Sequence, residues 1–112
     1  ERMIHHEIFH MIDNSFPELF KKNKWSKLNN KDFSYASCST CTDLLGLDLE
    51  ITKGFLTEYS MSTAEEDMAE IYSLLKTNFK EIDLLIKEDN ILTKKKNFLI
   101  NGLKEIDEKF IF

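Results

Sequence analysis

The sequence predicts a mostly α-helical fold in a single domain spanning residues 1–112, and three observations carry that prediction. A chain of 112 residues can bury one compact core but not comfortably two. Near the C-terminus, Leu92, Leu99, Leu103, Ile106 and Phe110 recur at multiples of three to four residues and form one apolar helical stripe. Further upstream, Ser62-Thr63-Ala64-Glu65 has the pattern of a capping box, in which a hydroxyl and a carboxylate close the open N–H groups at a helix start.

The elements follow in order. Met3 to about Asp13 reads as a helix, with Met3, Ile4, Ile8, Met11 and Ile12 as its apolar contacts. Pro17 fits poorly inside a helix, so this one ends shortly before it. From 18 to 57 the pattern is mixed. Lys21, Lys22, Lys24 and Lys27 surround Trp25, which reads as a solvated surface with one anchoring aromatic, and loops and short irregular elements are expected. The capping box starts a helix near Thr63 that can run to about Lys76. Two more helical segments cover roughly Phe79 to Lys87 and Ile91 to Lys109. On the capped helix, Ala64, Met68, Ile71, Tyr72 and Leu75 make the apolar face, with Glu66, Glu70 and Ser73 nearly opposite.

Composition narrows the function classes. The formal net charge is -5, which disfavours nucleic acid and anionic membranes, since both select basic surfaces. No apolar run approaches the length needed to span a bilayer. The chain starts at Glu1, almost at the first helix, with no signal-peptide core, so the expectation is a trimmed or processed N-terminus with structure upstream. Cys38 and Cys41 allow three readings: two free thiols in a loop, a local disulfide, or half of a zinc site whose second half is not visible.

The segment His6-Glu7-Ile8-Phe9-His10 carries the chemistry. A helix advances about 100° per residue, so His6 and His10 lie about 40° apart on one face and one turn apart along it. Their imidazoles can reach one metal ion. Glu7 projects beside them, close enough to act on a metal-bound water as general base without being a ligand. All three histidines of the chain, His5, His6 and His10, fall in this segment, which is hard to explain as surface decoration. His5 lies off the shared face.

Two histidines do not complete a catalytic zinc site; a third protein ligand is needed, with water in the fourth position. The pattern in which a glycine and then a histidine or aspartate follow the second histidine fails, because Asp13 and Phe16 stand there. The other solution takes a glutamate from a later helix, and Glu65, Glu66 and Glu70 are candidates.

Residues 5–13, followed by Tyr59-Ser60-Met61-Ser62-Thr63-Ala64-Glu65-Glu66-Asp67-Met68-Ala69-Glu70, resemble the catalytic domain of anthrax-lethal-factor-type zinc peptidases and related bacterial zinc metallopeptidases. In that family a tyrosine stands seven residues before the third-ligand glutamate, and an Ala-Glu pair follows it by three and four; Tyr59, Glu66, Ala69 and Glu70 reproduce the spacing. Asp13 matches a further family position. The resemblance covers roughly residues 5–75. It implies a zincin-like core with a ligand-bearing second helix and C-terminal bracing helices. It further implies a Zn2+ cofactor held by His6, His10 and Glu66, and a protein or peptide substrate. Glu7 becomes the base and Tyr59 the donor to the oxyanion. Asp13 and Glu70 become acceptors for the free ring N–H groups of the ligand histidines. Relatives are mostly exported, which implies secretion. Phe9 departs from the pattern, where glycine is common, and the Cys38–Cys41 segment has no family counterpart. A non-catalytic zinc-binding pseudopeptidase or interaction domain is the competing reading.

Overall fold

The computed structural model describes residues 1–36 and 53–112, so Cys38, Cys41 and the three readings of that pair lie outside the described residues. Among the described residues the regular structure is helical: α1 (Arg2–Ser15), a 3-10 turn (Pro17–Leu19), α2 (Lys22–Ser26), a second 3-10 turn (Tyr59–Met61), α3 (Ala64–Thr77), α4 (Phe79–Lys87) and α5 (Asn90–Ile106). None of these helices is long and apolar enough to cross a membrane. The centre is α3: the Tyr59–Met61 turn, α1, α2, α4 and α5 all pack on it, α1 most extensively.

The start of α3 is one residue later than the predicted capping box. Thr63 is the N-cap, and its Oγ1 accepts the Glu66 N–H at 3.1 Å. Ser62 instead donates its hydroxyl to the Tyr59 carbonyl at 2.6 Å, locking the preceding turn. Glu65, Glu66 and Asp67 occupy the first turn, where the helix dipole favours negative charge. The predicted apolar face (Ala64, Met68, Ile71, Tyr72, Leu75) is buried throughout. The opposite stripe is covered as well: Glu70 and Ser73 are buried and Glu66 is half-buried. α3 is therefore sandwiched, its polar stripe lying against α1.

In α1 the expected apolar contacts do not form the buried face. Met3, Ile4, Ile8 and Met11 are exposed, and only Ile12 packs against the core. The buried stripe is His6, Phe9 and Asp13. Counting apolar residues missed it because two of its three members are polar, and their burial is offset by hydrogen bonds to Glu70 and Lys22. Phe9 stacks edge-on against Phe20 and also meets Tyr72, so the bulk at this position fills core.

In α5 the Asp89 carboxylate caps the helix by accepting from the N–H groups of Ile91 and Leu92. The helix ends at Ile106, three residues short of the predicted Lys109, because Asp107 is extended. Leu92, Leu99 and Leu103 are buried as expected; Ile106 is partly exposed, and Phe110 packs from beyond the helix end. The glycine at 102 lets α5 approach Phe20, since a Cβ there would overlap the Phe20 ring.

One core position carries charge. Lys95 is fully buried between Leu92 and Leu99 and pairs with the equally buried Asp67 at 2.7 Å. The same Asp67 oxygen accepts from the Tyr35 hydroxyl (2.6 Å) and the Trp25 indole (3.0 Å). The Lys95 ammonium also donates to the Gly54 carbonyl at 2.7 Å and lies 3.8 Å from the Phe55 ring centroid. Burial pushes the Asp67 carboxyl up and the Lys95 amine down, while each partner's charge opposes that effect on the other. This node ties α2, α3 and α5 together behind the site.

Candidate metal centre

Three atoms meet where α1 crosses the start of α3. His6 Nε2 lies 2.7 Å from Glu66 Oε1, His10 Nε2 lies 2.9 Å from the same oxygen, and the two Nε2 atoms are 3.1 Å apart. Helix geometry brings the histidines together, one turn apart on one face. The Thr63 cap sets the third atom, because it fixes Glu66 at the third position of α3. In a closed capping box that carboxylate would turn back to the N-cap; here it turns across to α1.

The proton positions decide what the cluster can hold. Glu70 Oε2 accepts from Arg2 Nη1 at 2.6 Å and faces His6 Nδ1 at 3.0 Å, while Glu70 Oε1 accepts the Thr57 hydroxyl at 2.8 Å. A carboxylate beside Nδ1 selects the tautomer protonated there, leaving the His6 lone pair on Nε2. That lone pair faces a carboxylate oxygen and a second ring nitrogen, and such a set of acceptors is stable only around a proton or a cation. Tetrahedral zinc with nitrogen and oxygen ligands separates ligand atoms by about 3.3 Å. The observed edges are roughly 0.2–0.6 Å shorter than that, so the three residues fit the ion with a small opening of the triangle.

With a proton rather than a cation at that point, burial works against ionisation of Glu66, but its contacts with His6, His10 and Tyr59 outweigh it and hold its carboxyl below the usual range. Glu7 is exposed, and its carboxylate is within 4.8 Å of the ring nitrogens of His6 and His10. Two carboxylates thus flank the histidine pair; Glu66 is the nearer, in direct contact with both rings. Tyr59 is partly exposed, its ring centroid 6.0 Å from that of His6. A cleft of about 310 Å³ opens beside His6, lined by Arg2, Met3, His6, Glu7, Tyr59 and Glu70.

The structure thus brings together His6, His10, Glu66, Glu7, Tyr59 and Glu70. Asp13 is buried on the same helix face, but the hydrogen bond found at its carboxylate comes from Lys22 Nζ at 2.6 Å. Sequence reasoning missed Arg2 and Thr57. Arg2 could have been found, since it stands one helical turn before His6; nothing in the sequence singles out Thr57.

His6, Glu7 and His10 on α1 lie close enough together to hold a metal ion, and Glu66 from α3 meets both imidazoles, which is the arrangement of a metal-binding protein. Its family is more particular: residues 1–112 match the family described as "Putative zinc-binding metallo-peptidase", and the chain belongs to that family. Zinc is accordingly its metal, and a protein or peptide its substrate. No curated protein and no solved structure matches the chain.

Proposed function

We propose that this protein is a zinc metalloendopeptidase of the zincin type, akin to the lethal-factor-like peptidases. His6, His10 and Glu66 hold the metal, Glu7 is the general base, and Tyr59 is the donor to the oxyanion. The observation that carries the reading is the convergence of three atoms of metal-ligand type within 3.1 Å of one another, one of them on a histidine whose other nitrogen is held by Glu70. Zinc bound there supplies a Lewis acid for a peptide carbonyl and lowers the pKa of water toward neutrality.

The chain's own residues supply the rest. Glu7, exposed at the cleft, takes a proton from the attacking water and delivers it to the leaving amine. The Tyr59 hydroxyl, which also reaches Glu66, donates to the carbonyl oxygen as charge builds on it. Glu70 keeps His6 in the ligating tautomer, and Asp13 braces α1 through Lys22. The family resemblance also favours an exported protein.

The test is Glu7→Gln in zinc-loaded protein. Zinc affinity should stay near the parent value while cleavage of a casein-derived peptide pool disappears. Tyr59→Phe should slow cleavage by about 10²–10³-fold with zinc retained. Loss of zinc together with activity in Glu7→Gln would make Glu7 a ligand and remove the base from the mechanism.

A further inference from the structure

The metal cluster accounts for four of the six residues that line the cleft, His6, Glu7, Tyr59 and Glu70; Met3 and Arg2 are left over, and of these Arg2 carries the charge. It sits at the first turn of α1 and is 43% exposed, whereas its partner Glu70 is 4% exposed. Among the described residues the ion pair uses only Nη1 of the guanidinium, which leaves the Nη2 and Nε N–H groups for a second acceptor. Arg2 is also the one cation among the residues lining the cleft. The others offer an apolar chain (Met3), an aromatic hydroxyl (Tyr59), an imidazole (His6) and two carboxylates (Glu7, Glu70).

We propose that Arg2 is a specificity-determining residue that binds a carboxylate of the peptide substrate, one to two residues from the bond that is cut. This rests on the metallopeptidase reading of the same cleft. The distance follows from helix geometry. Arg2 and His6 are four residues apart, about 6 Å along the axis, and both reach the same Glu70 oxygen. An extended peptide advances about 3.3–3.6 Å per residue, so a carboxylate on Arg2 lies one to two residues from a carbonyl placed at the histidines. The chemistry follows from the guanidinium fork, which matches a carboxylate with two parallel N–H bonds even when a third nitrogen is engaged. Glu70 holds the fork in place from below, which limits the entropy lost when substrate binds. A C-terminal carboxylate and an acidic side chain offer the same chemistry.

The test measures binding rather than turnover. Zinc-loaded Glu7→Gln protein, which keeps peptides intact, is titrated calorimetrically with acetyl-Ala-Ala-Ala as the free acid and as the C-terminal amide. A second pair is acetyl-Ala-Ala-Glu amide against its Gln counterpart. At least one carboxylate-bearing peptide should bind about tenfold more tightly than its neutral partner. The pair that shows the preference identifies the source of the carboxylate. Adding Arg2→Gln should remove the preference, and Arg2→Lys should restore part of it as a point charge. A preference that persists with Arg2→Gln means the carboxylate goes to the metal, and overturns the proposal. Equal or undetectable binding of both members in each pair also overturns it, while zinc loading and peptide cleavage by the parent protein leave the metallopeptidase reading standing. If the parent protein takes up no zinc, both fall together.

Discussion

Glu70 is where the second layer of the site can be tested quantitatively. Its carboxylate receives three groups: Arg2 at 2.6 Å, His6 Nδ1 at 3.0 Å and the Thr57 hydroxyl at 2.8 Å. Glutamine keeps the shape but presents one acceptor and one donor edge. The satisfiable orientation turns the NH2 toward Thr57, whose hydroxyl can rotate to accept it, and leaves Arg2 and His6 sharing a neutral oxygen. Hydrogen bonds to charged groups contribute about 1.5–3 kcal/mol and neutral ones about 0.5–1.5, so the His6 contact weakens by about 1–1.5 kcal/mol. That is about tenfold in zinc affinity. Glu70→Ala leaves the buried His6 Nδ1 without an acceptor and should approach a 100-fold loss, the upper end for residues that orient metal ligands. Competition for zinc against a chromophoric chelator at fixed pH measures both. Parent-like affinity in both variants would refute the assignment of His6 orientation to Glu70.

Two predictions concern the scaffold. Lys95→Met should lower stability by about 3–5 kcal/mol, because it leaves Asp67 buried without its counter-charge and the Gly54 carbonyl without its donor. Urea unfolding should show the loss, and pairing the change with Asp67→Leu should recover much of it. Asp83 is held below the usual carboxylate range by its hydrogen bond to Lys96 and by Lys87. A depressed folded-state pKa gives stability that is fully present above the unfolded value of about 4 and is lost as pH falls through the folded value. The stability gap between the parent and Asp83→Asn should therefore be constant from pH 5 to 7 and shrink below about pH 4.

The motif, the three long helices after it and the apolar face of α3 were legible because each depends on local spacing: four residues between histidines, or three to four between apolar contacts. The assignment of Glu66 needed the Tyr59 spacing, since periodicity alone placed it on a polar stripe with Glu70. Its position in the structure depends on Thr63 taking the cap in place of Ser62, a shift of one residue. The α1 face was misread because burial there is set by tertiary partners. His6 and Asp13 are inside because Glu70 and Lys22 meet them, while Met3, Ile4 and Met11 face outward. Lys95 was overlooked for the same reason. It interrupts an apolar stripe, and only the fold reveals Asp67 as its partner. Arg2 acquires meaning from a contact with a residue 68 positions away.

The zinc content of purified protein, measured by elemental analysis in the parent chain and in the single variants His6→Ala, His10→Ala, Glu66→Ala and Glu65→Ala, tests the central claim most directly. The account predicts about one zinc per chain in the parent, consistent with one complete three-ligand set. Zinc should be retained in Glu65→Ala and lost from tight binding in the other three variants. Full zinc in Glu66→Ala, or loss in Glu65→Ala alone, would contradict the site built on His6, His10 and Glu66.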